Sequence, residues 1–260
     1  MYNFEFVKPS SVADAVAALG AEDAQALGGG QTLIPTMKQR LASPSKLVSL
    51  GGIADMQGVL VSGGSVTIGG ATTHADVEAA DAFAGLTGLA GGIGDPAVRN
   101  RGTIGGSLAN NDPAACYPSI ALATGATITT NKRDISADDY FQGMFTTALE
   151  EGEIITSVSM PIPEASNYQK FEQPASRFAL VGVFVAKYAD GVRVAVTGAS
   201  ENGVFRWTEA EAALSANFSA DALADLSVDA ADMIADLHGS KAYRANLVKV
   251  LTGRAVAAAK

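Results

Sequence analysis

The 260-residue sequence holds one cysteine, Cys116, and two histidines, His74 and His238. A single thiol excludes an intrachain disulfide and a multi-cysteine cluster, and two histidines so far apart offer no metal-ligand spacing. Any redox chemistry therefore needs an organic cofactor. Basic residues are scarce: 18 Lys and Arg stand against 27 Asp and Glu, a formal charge of -9. With no run of Lys or Arg either, nucleic acid is not an expected partner. Long apolar runs are missing too. The longest, Phe178 to Ala186, is too short to cross a bilayer, and the N-terminus, with Glu5 near Met1, lacks the basic and apolar regions of a signal peptide. No transmembrane segment is expected, and the expected location is cytoplasmic.

What is present is apolar bulk and glycine. Hydrophobic residues make up 48% of the chain, enough for a large core in one big domain or two to three small ones. Two glycine-dense segments carry hydroxyl neighbours: Gly28-Gly29-Gly30-Gln31-Thr32 and Thr103-Ile104-Gly105-Gly106-Ser107. Glycine lets backbone amides approach a ligand, and clustered amides bind anions without lysine. Two such loops can hold both phosphates of a dinucleotide, which suits a chain whose net field repels anions. A plain turn accounts for the first triplet taken alone, and a surface loop with a salt bridge accounts for the second. Each charge-assisted hydrogen bond nets about 1.5–3 kcal/mol, whereas association costs about 4–15 kcal/mol, which favours the two loops acting together. The spacing is not that of a Rossmann fingerprint, and a nicotinamide domain is disfavoured.

The first segment sits in a strand–loop–helix–strand order. Ser11 and Asp14 cap a helix that Gly20 ends, Ala24 to Leu27 reads as a strand, Pro35 to Leu41 as a helix and Lys46 to Leu50 as a strand. From Ile53 the pattern turns antiparallel, with a hairpin of Val59–Ser62 and Ser65–Ile68 about Gly63-Gly64. Helices are expected at 73–80 and 83–91. Asp112-Pro113 reads as an N-cap and first helical residue of a helix reaching Ala123, with Cys116 on its first turn. Strands are expected at 126–130 and 154–160, a second hairpin at 178–188 and 192–197 about Asp190-Gly191, and helix from Thr208 onward. Met160 to Pro163 marks a boundary.

The remaining polar residues have plain readings. His74 starts a helix, His238 interacts with a helix C-terminus, and Asp138-Asp139 and Glu150-Glu151 are solvated turns. Cys116 reads as a small buried hydrophobe, the alternative being a thiol activated by a helix terminus.

At Gly28 to Pro35 and Val98 to Pro118 the chain resembles the medium, FAD-binding subunit of the molybdenum hydroxylases, the family of aerobic carbon monoxide dehydrogenase and xanthine dehydrogenase. Arg40-Leu41 through Pro44 and Leu47-Val48 continue the likeness. The resemblance implies an α+β chain with a two-subdomain FAD-binding fold of the vanillyl-alcohol oxidase-like (PCMH) type. To this it adds a C-terminal three-stranded antiparallel sheet with helices. The implied division is 1–52, an N-terminal α/β subdomain; 53–163, a middle α+β subdomain; and 164–260, a C-terminal domain of the carbon monoxide dehydrogenase flavoprotein type. It further implies FAD contacts at Leu27, Gly28, Gly29, Gly30, Gln31, Thr32, Leu33 and Ile34, and at Thr103, Ile104, Gly105, Gly106 and Ser107. Ile93 would pack at the adenine end, Ile155 and Lys170 would contact the cofactor, and Phe178 would stack on the flavin.

Two departures accompany the likeness. Cys116 stands where relatives often carry an acidic residue, so Asp112 replaces that contact or it is absent, and Arg177 precedes Phe178 where an acidic residue is common. The implied role is electron relay. A molybdopterin-containing large subunit oxidises substrate, a small subunit with two 2Fe–2S clusters passes single electrons, and FAD on this chain delivers pairs to quinone, NAD or oxygen. The alternative is a flavin-free structural subunit of the same complex. A free-standing oxidase of the vanillyl-alcohol oxidase type is disfavoured, since the chain lacks a substrate domain.

Overall fold

A computed structural model describes all 260 residues. The chain opens with β1 (Glu5–Val7), α1 (Val12–Leu19), β2 (Ala24–Leu27), α2 (Leu33–Lys38) and β3 (Lys46–Ser49). The three strands form a parallel sheet in the order β1-β3-β2. Ser11 caps α1 by accepting the Asp14 amide, and α1 buries Ala15 against Val48, Ile53, Met56, Ala71 and Ile154. Ala71 and Ile154 lie far along the chain, so this small sheet packs on the middle of the polypeptide. The helix expected at 35–41 begins earlier, at Leu33, and ends at Lys38, because Arg40 adopts a left-handed conformation at φ 62°.

The middle of the chain contains β4 (Val59–Ser62), β5 (Ser65–Gly69), α3 (His74–Ala80), α4 (Ala84–Gly91), α5 (Pro96–Arg99), α6 (Ile104–Asn110) and α7 (Tyr117–Thr124). It continues with β6 (Thr127–Thr130), β7 (Asp134–Ser136), α8 (Ala137–Tyr140), the short pair β8 (Phe141–Gly143) and β9 (Thr146–Thr147), and β10 (Ile155–Pro161). Five of these strands form an antiparallel sheet, β4-β5-β10-β6-β7. The expected hairpin is present, with Val59 opposite Ile68 and Ser62 opposite Ser65.

The helix expected from Pro113 begins instead at Tyr117, with Cys116 at its N-cap and Pro118 in its first turn. Asp112 caps no helix; its Oδ1 accepts the Ala114 amide at 2.8 Å in a local turn. The physical reason lies outside the segment: the Pro113 carbonyl accepts from the Gly198 amide at 2.7 Å and from Thr197 Oγ1 at 2.9 Å. These bonds hold residues 112–116 in a turn against the end of β13 (Gly191–Thr197), so the helix starts only at Tyr117.

That sheet comprises β11 (Ala165–Glu172), β12 (Ala179–Tyr188), β13 (Gly191–Thr197) and a two-residue edge strand, β14 (Phe205–Arg206). β12 and β13 form the expected hairpin, β11 completes the implied three antiparallel strands at residues the sequence reading did not locate, and β14 adds a fourth. Helices α9 (Thr208–Ala216) and α10 (Lys241–Ala258) cover one face, joined to Val183, Val185, Val194 and Val196 in one core. From the other face Phe184, Ala186 and Ala195 enter the largest core with α4, α7 and the five-stranded sheet. Alternation along β12 thus serves two cores at once. Between α9 and α10 the chain is mostly not helical, and His238 sits in a turn whose Asp236 carboxylate accepts the His238 and Gly239 amides. It neighbours no helix C-terminus, contrary to the sequence reading. Of the acidic pairs read as solvated turns, Asp138-Asp139 lies instead in α8, with Asp138 bonding Arg193 at 2.7 Å, and Glu150 bonds Lys132 at 3.0 Å. No helix is long and apolar enough to cross a membrane.

Candidate functional site

The two glycine segments meet. A β-carbon on Gly29 would overlap the Arg101 carbonyl, and one on Gly28 would sit 2.8 Å from Thr103 Oγ1. Both distances lie far inside ordinary van der Waals contact, so the loops close on one another only while residue 29 lacks a side chain. Behind them, a β-carbon on Gly105 would stand 2.5 Å from the Gly70 carbonyl oxygen, which already accepts the Gly105 amide at 2.9 Å.

Between the loops runs a cleft of about 620 Å³, within the range typical of ligand sites. It is lined by Leu27 to Leu33, Ile93, Thr103, Gly105 to Ser107, Asp112, Cys116, Ile155 and Phe178, among others. Of the residues singled out in the sequence, Ile34, Ile104 and Lys170 lie outside the lining. Ile34 packs beneath Gly30, and Ile104 is fully buried in the core. Lys170 Nζ is turned inward, donating to the Gly92 carbonyl at 2.6 Å and the Arg177 carbonyl at 2.8 Å, with Cys116 Sγ at 3.8 Å.

The loops differ in what they offer a ligand. The amides of residues 28–32 donate to no backbone carbonyl, so the first loop presents an open row of donors. The second segment, read from the sequence as a loop, is the first turn of α6: Ile104 and Gly105 donate to Thr72 and Gly70, Ser107 donates to Thr103, and Gly106 donates to the N-cap Thr103 Oγ1 at 3.1 Å. Its amides are spent on the fold; what it brings is close approach and the hydroxyl of Ser107. Gln31 folds back to donate to the Gly29 carbonyl at 3.3 Å. Arg177 is the single cationic side chain in the lining, against Asp112 and Glu153. An anion placed in this cleft would meet backbone dipoles and one guanidinium, in a chain of net charge -9.

Several lining residues gave no sequence signal. Glu153 has a fully buried side chain that accepts from Thr130 Oγ1 at 2.7 Å and Arg133 Nε at 3.1 Å. The Arg133 bond foremost, helped by the Glu150 amide and Thr130, overcomes burial and holds its pKa down to about 2. His74 also lines the cleft, reading as helix-start from the sequence alone; the one hint was its place after Gly69-Gly70 and two threonines. Cys116 is 6% exposed, and burial pushes its thiol pKa up although the Lys170 ammonium pulls the other way. The inert reading of this thiol fits; the activated one does not. No group of His, Cys, Asp and Glu side chains is arranged to hold a metal ion.

This geometry suits a dinucleotide with a diphosphate bridge: a cleft of about 620 Å³, an open amide row and a second glycine segment admitted to backbone distance. Residues 2–163 match the model of the FAD binding domain in molybdopterin dehydrogenase. The chain belongs to this family. Over 99% of its length it is 34% identical to the carbon monoxide dehydrogenase medium chain of Afipia carboxidovorans, covering 97% of that protein. Over 96% it is 34% identical to the nicotine 6-hydroxylase medium subunit of Paenarthrobacter nicotinovorans, covering 95% of it. Its fold superposes on carbon monoxide dehydrogenase from Hydrogenophaga pseudoflava, in a form lacking the Mo-pyranopterin moiety, with a TM-score of 0.87 at 32% identity, covering 99% of this chain and 97% of that one. Like other family members, the chain is an oxidoreductase subunit, and its cofactor is FAD.

Proposed function

We propose that this chain is the electron-transfer subunit of a molybdenum hydroxylase complex. The observation that carries the reading is the contact between Gly29 and Arg101–Gly102, which closes two remote glycine loops around one cleft. The segments 1–52 and 53–163 clamp FAD between them, with 164–260 bracing the clamp. The open amides of residues 28–32 hold the diphosphate, and Thr103, Gly105, Gly106 and Ser107 border it with the ribityl chain. Ile93 packs at the adenine end, Ile155 and Phe178 border the ring system, and Asp112 is the carboxylate available for a cofactor hydroxyl beside Cys116. Ile34, Ile104 and Lys170 act from behind, by supporting the lining.

When bound, FAD accepts electrons singly and releases them in pairs. The chain's own part is to bind, orient and shield; the relay requires no side-chain acid or base. Electrons arrive from 2Fe–2S clusters of a partner subunit, after a molybdopterin-containing subunit has oxidised substrate, and leave to an external acceptor. Two relatives at 34% identity are named for carbon monoxide and for nicotine, so similarity of this chain does not assign a substrate. A cleft of about 620 Å³ persists with Cys116 and Arg177 in its lining, which supports the flavin-bearing subunit over a flavin-free one.

The test is optical. The purified chain, or its colourless form given FAD, should show a flavin spectrum that dithionite bleaches. A colourless chain that takes up no added FAD would remove the proposal.

A further inference from the structure

One polar side chain in the cleft wall finds no partner anywhere in the protein. His74 opens α3, its amide donating to the Gly102 carbonyl at 2.9 Å, next to a bridge between Thr73 and Thr103. The residue is 5% exposed and lines the cleft, and its ring packs on Tyr117 with centroids 5.3 Å apart. Its Nε2 faces Gly102: a β-carbon there would come to 2.5 Å. Its Nδ1 is buried and unpaired. Enclosed by the protein itself, Nδ1 is beyond a ligand's reach; Nε2 also makes no hydrogen bond within the protein but is not enclosed, and it is the nitrogen a ligand in the cleft can meet.

The location is specific. A β-carbon on Gly29 would stand 2.5 Å from the Gly102 Cα, so the imidazole lies directly behind the seam where the glycine loops meet. Burial first, and Arg99 second, lower its pKa to about 4, so at neutral pH the ring is uncharged, with one donor and one acceptor nitrogen. It can therefore exchange a hydrogen bond without adding charge to the cleft.

We propose that His74 is a further FAD-binding residue, its Nε2 hydrogen-bonding an oxygen of the cofactor's ribityl–diphosphate portion at the loop seam. The inference rests on the flavin reading and adds to it a contact outside both glycine segments. The competing account is internal. The Tyr117 hydroxyl is also buried and unpaired, and a water bridging it to Nδ1 would make His74 purely structural.

The full-length apo-chain is titrated with FAD, followed by flavin fluorescence, in wild type, His74→Phe, His74→Gln and Tyr117→Phe, alongside thermal unfolding without FAD. His74→Phe should weaken FAD binding about tenfold, equal to about 1.4 kcal/mol, with apo-protein unfolding unchanged. His74→Gln, which keeps a donor and an acceptor, should bind close to wild type, as should Tyr117→Phe. Should His74→Phe not fold, His74→Ala carries the same expectation. Unchanged FAD affinity in the His74 variant overturns the inference while the flavin reading stands. So does a parallel loss of affinity and unfolding temperature in the His74 and Tyr117 variants. A wild-type chain that binds no FAD overturns both readings.

Discussion

Gly29 rests directly against the Arg101 carbonyl, with no room for a single methyl group between them. Gly29→Val must therefore part the loops. Overpacking of this kind costs about 1–3 kcal/mol, and the expected outcome is a folded chain of lower unfolding temperature that purifies without flavin. Gly51→Ala is the control, since nothing lies within 4 Å of a β-carbon there. The ratio of flavin to protein absorbance checks both.

Glu153 makes the protein acid-sensitive in a defined window. Its folded pKa of about 2 lies below the ordinary 4.5, so its contribution is complete above pH 4.5 and is lost as pH falls toward 2. Glu153→Gln should lower the unfolding temperature at pH 7, and the gap to wild type should close as pH falls from 4.5 toward 2. A gap constant with pH would contradict the assigned ion pair with Arg133.

Lys170 ties the segment before Phe178 to the end of α4, through the carbonyls of Arg177 and Gly92. Lys170→Met frees residues 173–178, of which Arg177 is exposed. Trypsin should then cut after Arg177 faster than in wild type, and iodide should quench bound flavin more strongly. Equal rates of proteolysis would show that the tie does not hold the segment.

The thiol of Cys116 should ignore a disulfide reagent in the native protein and react once denaturant opens the fold, since it is 6% exposed with its pKa raised by burial. Rapid native-state labelling would argue against the buried packing at the start of α7.

Much of the fold was legible because its signals are local. Ser11 with Asp14, the Gly63-Gly64 hairpin and the Asp190-Gly191 hairpin each announce an element within a few residues. The pairing of the glycine segments was favoured by energetics, as two or three hydrogen bonds from one segment barely offset the cost of association. What failed depended on distant partners. Asp112-Pro113 carries every mark of a helix start, yet Thr197 and Gly198 capture the Pro113 carbonyl and delay α7 to Tyr117. His74 reads as an ordinary first residue of a helix because the glycine that faces it, Gly102, belongs to a different segment. The inward turn of Lys170 was equally invisible, since Gly92 and Cys116 approach it from separate helices.

The capture of Pro113 bears on any dissection of the molecule. A fragment cut after residue 163 would keep every position that the family model matches. It would lose Thr197 and Gly198, which hold the Pro113 and Ala115 carbonyls, and Arg193, which bonds that of Leu122 at 2.8 Å. Asp112 to Cys116 would then be free to wind into the helix their own sequence favours, pulling one wall out of the cleft. The stretch that identifies the chain is thus not autonomous: its ligand-ready shape is imposed from the far end of the polypeptide.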